Sequence, residues 1–174
     1  QFKMKIFTTS FLLFLVSFNI EAQETILRSD FSVRDFFIAR DSIFLIEKRD
    51  VKIFDKKNVV KNYFIGGYGL KIFDDYENNN IITVSNELEN TVSSLRFYNK
   101  SSKKVEDVFY YKEGKSLDAL IVKNLKLAIL SLDNNKIIVV NYSKKPTFNV
   151  IHEINLNSIS RKIIYNNNAL FYIN

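Results

Sequence analysis

No cysteine occurs among the 174 residues, so the chain forms no disulfide, no thiolate metal site and no lipoprotein-type acylated cysteine. Tryptophan is missing too, and Phe and Tyr carry the aromatic content. There is one histidine, His152, in the strand-like run FNVIHEI. As a general base it stands alone: its neighbour Glu153 points to the opposite face of a strand, and no Ser, His and Asp constellation closes around it. Glycine is scarce, and three of the four fall in Gly66-Gly67-Tyr68-Gly69. That run lacks the following helix of a phosphate-cradling loop. It reads instead as a crossing between units, where glycine permits backbone angles that other residues resist.

Charge is present but modest. The formal net charge is +6, falling to +5 once a leader is removed. This excess is compatible with anionic surfaces and does not argue for nucleic acid. Apolar content is ordinary at 47%, which excludes general disorder and leaves enough for a real core.

The start of the chain is the most specific local signal. Met4 is an initiator where Gln1 is not, Lys3 and Lys5 give a positive start, and Phe11 to Phe18 is an apolar run. Asn19-Ile20-Glu21-Ala22 then closes it with alanine at the cleavage position. Residues 1–22 are expected to be a secretory signal peptide, and the apolar run is shorter than a membrane span needs. The ending and the Asn/Lys/Ile-rich composition resemble leaders of exported bacterial proteins. The expected destination is periplasm, cell surface or exterior, with no transmembrane segment after cleavage.

The mature chain repeats itself. Val51-Lys52-Ile53-Phe54-Asp55-Lys56 matches Leu95-Arg96-Phe97-Tyr98-Asn99-Lys100 class for class, and Ile137-Ile138-Val139-Val140-Asn141 keeps the strand and the Asn. Asp or Asn at a strand exit starts a turn by accepting a backbone amide two residues on. Around these hairpins, strands follow one another without a convincing helix. Second strands begin at Ile43, Ile81, Leu127 and Leu170. Four short strands at a period of about 40 to 45 residues is propeller spacing. The inner runs IFLI, IITV, LAIL and IIVV are continuously apolar, as expected for sheets covered on both faces. A two-layer sandwich would alternate more cleanly.

The hairpins resemble the third and fourth strands of a WD-repeat blade, with Phe54-Asp55, Tyr98-Asn99 and Val140-Asn141 where that family writes Trp-Asp. The family's Gly-His dipeptide and its tryptophan are absent, so the resemblance is to the WD-like or quinoprotein-like β-propeller superfamily. It implies an all-β fold of four-stranded antiparallel blades, about three and a half of them, over 23–174. Blades are expected near 33–65, 69–111, 116–154 and, incomplete, 158–174. Since a propeller closes as a ring of about four to eight blades, the sequence reads as the front piece of a longer protein. Thr25 to Phe31 is the candidate for a strand completing the last blade.

Three groups of residues are candidates for function. Lys56, Lys57, Lys103, Lys104, Lys144 and Lys145 fall in turns between third and fourth strands, at one end of every blade, and would form a basic arc for an anionic glycan, lipid head group or acidic partner. Lysines there also keep exposed turns soluble. At the other end, Glu87, Glu89, Asn90, Asp133 and Asn134 lie on connections, where binding residues usually sit. Asp35, Lys71, Asp118 and Arg161 are charged positions on inner strands. The acidic turn Asp74 to Asn80 is dense in oxygen ligands but lacks the alternating spacing of a calcium loop. The expectation is a non-catalytic exported module that binds, scaffolds or senses, with a protein or glycan partner, no metal and no cofactor. A propeller enzyme, quinone-dependent dehydrogenase or lactonase-like hydrolase, is the alternative, and fold alone does not separate them.

Overall fold

The structure is a computed structural model that describes residues 33–40, 42–55, 58–87 and 91–173, with 58–61 described by backbone alone. The leader and Thr25 to Phe31 lie outside the described residues. The chain is all-β. β1 (Asp35–Ala39), β2 (Ser42–Ile46), β3 (Asp50–Asp55) and β4 (Asn58–Phe64) form a first antiparallel sheet in chain order. β5 (Tyr68–Asp75), β6 (Asn80–Asn86), β7 (Ser93–Asn99) and β8 (Lys104–Tyr111) form a second. β9 (Ser116–Val122), β10 (Leu127–Leu132), β11 (Lys136–Lys144) and β12 (Thr147–Asn155) form a third. β13 (Lys162–Asn166) and β14 (Ala169–Ile173) begin a fourth.

Successive residues of the central strands serve different neighbours. Ile81 packs with Phe44 and Ile46 of the first sheet, while Ile82 packs with Leu130 and Ile138 of the third. Ile138 and Val140 face the second sheet; Ile137 and Val139 join Ile163 of the fourth. A strand covered on both sides has no polar face to alternate with, which is why these runs are continuously apolar. Each such side chain contributes about 1.5–3 kcal/mol on full burial. The first strands β1, β5, β9 and β13 lie side by side as the inner strands of a radial succession.

The repeat is closer in space than in sequence. In each complete sheet the third–fourth strand ladder slips at an equivalent place, between Ile53 and Phe54, Phe97 and Tyr98, and Val139 and Val140, and that of the third sheet slips again between Asn141 and Lys144. At the equivalent place the extra residue is Val60, Glu106 or Ile151, and such a bulge twists an outer edge and discourages pairing with another chain. The Asx turns form as expected: Asn99 Oδ1 accepts the amides of Ser101 and Ser102 at 2.9 and 2.8 Å, and Asn141 Oδ1 that of Ser143 at 2.8 Å.

The boundaries differ from the sequence reading in three places. β13 starts at Lys162 rather than Ile159, and β5 already includes Tyr68 and Gly69. The polar stretch Asn86 to Ser94 is strand at its two ends, at Asn86 and at Ser93 and Ser94: Ser85, Ser93 and Ser94 are buried, with Ser85 and Ser94 hydroxyls 2.7 Å apart. Ser93 Oγ donates to the Gly114 carbonyl at 2.8 Å, and Asn86 exchanges two bonds with Ser116, so hydrogen bonding makes this polar burial tolerable. The glycine crossing owes as much to space as to angle. Only Gly66 has a positive φ, 80°; at Gly67 a Cβ would lie 2.2 Å from the Asn86 carbonyl oxygen.

Candidate functional site

Antiparallel order sorts the connections into two ends. Turns from first to second and third to fourth strands share one, the lysine end. Connections from second to third strands, and the linkers between sheets, share the other, the linker end.

At the lysine end, Lys56 and Lys57 lie outside the described residues. Lys103 sits in a turn with φ 62°, Lys104 opens β8 and Lys144 closes β11, and all three are exposed. Lys145 turns back over the neighbouring sheet, 4.5 Å from the Phe97 ring centre and 3.6 Å from Asp107. Other cations at this end are also engaged. Lys100 pairs with Asp74, and Lys126, from the β9–β10 turn, reaches Glu77 at 3.0 Å and buried Asp75 at 3.8 Å on the preceding sheet. The acidic turn is thus bound to a lysine, with Asn78 Nδ2 donating to Asp75 at 2.8 Å. Beside it the buried Tyr142 hydroxyl has no hydrogen-bond partner among the described residues, and burial with nearby Asp75 and Glu77 pushes its pKa up.

At the linker end, Glu89 and Asn90 lie outside the described residues. Glu87 receives Arg96 at 2.5 Å, and that guanidinium lies against Gly66 and over the Tyr110 ring. Asp133 Oδ1 accepts the Lys115 amide at 2.9 Å and Asn134 Nδ2 donates to the Glu113 carbonyl at 2.5 Å, so both hold the linker from β8 to β9. Further out, Lys136 bridges Glu113 at 3.1 Å and Glu153 at 3.5 Å, with the Tyr111 hydroxyl bonded to both carboxylates at 3.3 Å. Lys136 holds the Glu113 carboxyl below its ordinary value and is itself raised by that bond. Burial, then the charges of Glu153 and Glu113, push Tyr111 up to about 12. His152 is exposed on β12 and lies in register with Val139.

The inner strands hold a regularity that only the registers reveal. Asp35, Lys71 and Asp118 face Ile46, Val84 and Ser131, the same repeat position in three sheets. Counting four residues back from the last residue of each inner strand, as Asp35 stands to Ala39, reaches Lys162 in the fourth. Acid and base alternate. Asp35 Oδ2 accepts the Ile72 amide of the next sheet at 3.0 Å, and Asp118 Oδ2 accepts the Ile163 amide of its next sheet at 2.9 Å. Asp118 is also 3.7 Å from Lys71 Nζ and 3.8 Å from Lys162 Nζ, one lysine from each adjoining sheet. Arg161, the residue singled out in sequence, precedes β13 and is exposed.

No protein-family model and no curated protein matches the sequence. Among solved structures, the chain is similar to one in a mitotic checkpoint complex, with TM-score 0.62 and 8% identity, over 76% of this chain and 43% of that one. It is also similar to Hsv2 of Kluyveromyces lactis, with TM-score 0.55 and 13% identity, over 83% of this chain and 42% of that one. A variant of Hsv2 with loop 6CD replaced by a Gly-Ser linker aligns equally well. The chain therefore spans less than half the length of the structures it matches. The likeness is one of fold: four-stranded antiparallel blades of the WD40-type β-propeller.

Proposed function

We propose that the chain belongs to an exported, non-catalytic β-propeller that binds or scaffolds a partner. The observation that carries this reading is the destination of the inner-strand charges. A propeller enzyme aims such groups at the central channel, where they meet substrate. Here Asp35 and Asp118 accept backbone amides of the next sheet, and Lys71 and Lys162 flank Asp118, so these groups join blade to blade. What remains for recognition is a rigid scaffold with charged connections at both ends. Export rests on the Lys5, Phe11 to Phe18 and Ala22 pattern.

Both parts are open to test. N-terminal sequencing of protein recovered from the periplasm or medium is expected to begin at Gln23; retention of residues 1–22 in the cytoplasm removes the export part. Cross-linking at the cell surface, with the contact mapped by hydrogen exchange, is expected to protect connections of one end. Turnover of an alcohol with a quinone, or of a lactone, that disappears in Asp118→Asn while the fold survives would replace the module with an enzyme.

A further inference from the structure

The inner edge of the sheets at the linker end, the mouth of the succession, carries exposed cations. Arg34 and Arg161 each stand one residue before an inner strand and occupy equivalent positions, their amides donating to the carbonyls of Ile46 and Ile173 at 2.9 and 3.0 Å. Lys115 stands one residue before β9, and Lys48 lies against the start of β5 through the Gly69 amide at 3.0 Å. All four are exposed, and among the described residues no carboxylate pairs with any of them. Three acids of this end have partners of their own: Glu47 pairs with Lys52 at 2.9 Å, Glu87 with Arg96, and Asp133 accepts the backbone amide of Lys115. Between the cations stands Tyr68, 44% exposed, with Lys48 and Arg49 over its ring at 5.9 and 5.6 Å.

We propose that this mouth is a docking surface for a carboxylate-rich protein segment, an inference that rests on the binding-module reading and names its partner class. Arg34, Lys115 and Arg161 directly precede inner strands, and Lys48 comes from the β2–β3 connection against the start of the inner strand β5. A narrow extended segment entering the mouth meets several of them at once, whereas a bilayer, being flat, meets the rim. Arginine guanidinium groups pair with carboxylates in a fork, and the half-exposed Tyr68 ring supplies apolar contact for the segment's stem atoms. With no ion pair holding these cations among the described residues, charge complementarity favours the encounter and weakens with salt.

The experiment uses the purified chain and a fluorescein-labelled peptide of alternating Glu and Ser, read by anisotropy at low and physiological salt. A heparin oligosaccharide and phosphatidylserine vesicles form parallel arms. The combined variant Arg34→Gln, Lys48→Gln, Lys115→Gln and Arg161→Gln is set against a control of equal charge change at the other end, Lys103→Gln, Lys104→Gln, Lys123→Gln and Lys144→Gln. Circular dichroism and urea midpoints show whether both fold, and the single reversal Arg161→Glu serves should the quadruple variant not. Peptide affinity is expected to fall about tenfold or more in the mouth variant and about twofold or less in the control. Equal losses in both, no peptide binding by the unchanged chain, or binding confined to heparin or vesicles overturns the proposal. Equal losses leave the binding module in place and move its surface to the lysine end; turnover of a quinone or lactone substrate would remove the module itself.

Discussion

Asp118 is 4% exposed and carries three partners, so its replacement separates hydrogen bonding from charge. Asp118→Ala leaves the Ile163 amide without an acceptor and is expected to cost about 1–3 kcal/mol in urea unfolding. Asp118→Asn keeps an acceptor for that amide and loses only the attraction of two lysines, so its smaller loss is expected to shrink further in salt. Tyr98 makes a second point at this scale. Its hydroxyl donates to the Phe64 carbonyl at 3.1 Å, and burial first, with the Glu87 charge adding to it, pushes its pKa up to about 12 against the lowering effect of Arg96. Below about pH 10 both folded and unfolded chains keep the proton, and the contribution is complete. Between 10 and 12 only the unfolded chain releases it, so stability falls as pH rises. Tyr98→Phe is expected to be less stable at pH 7 by about 1 kcal/mol and to lose less of what remains at pH 11. The sequence made Asp35, Lys71 and Asp118 visible as charges in apolar strands. It missed Lys162, because Ile159 gave an early start to β13 and put Arg161 in its place; counting four residues back from the turn would have found it.

Elements were legible where apolar runs were bounded by Asx or lysine-rich turns, and less so where polar residues are buried. The stretch Asn86 to Ser94 reads as a loop by composition, yet its serines close hydrogen bonds to one another and to the next linker. No local pattern announces a partner 20 or more residues away. The crossing between the first two sheets is similar: its glycines were read as a matter of dihedral freedom, and Gly67 is there because the Asn86 carbonyl passes too close for a side chain. Gly67→Ala is therefore expected to separate β4 from the β6 end and to lower the thermal midpoint by several degrees, on the scale of about 1–3 kcal/mol for overpacking. An unchanged midpoint would show that the linker can shift.

In the described chain, stability is a sum of neighbours. The second sheet is packed on both sides, and Leu95, Phe97, Leu130 and Ile138 are fully buried between it and the third. The fourth has two strands, with Ile164, Phe171 and Ile173 exposed. In such a stack, interface terms between adjacent units dominate, and opening begins where one side is uncovered. Amide exchange is expected to be slowest in β6, β7, β10 and β11 and fastest in β13 and β14. Leu130→Ala, at about 2–5 kcal/mol, is expected to speed exchange in both the second and third sheets rather than in one. Uniform protection across all four sheets would contradict this.

The apolar runs, their forty-residue return and the Asx exits were properties of the sequence alone, because burial on two faces and turn chemistry act over a few adjacent residues. Which charges meet was decided by the fold. Asp118 finds Lys71 and Lys162 only when three sheets stand in register. At the linker end Glu87 and Asp133 are engaged because Arg96 and the Lys115 amide reach them from other strands. Contacts across tens of residues depend on register and sheet order, and a single sequence carries neither in any local stretch.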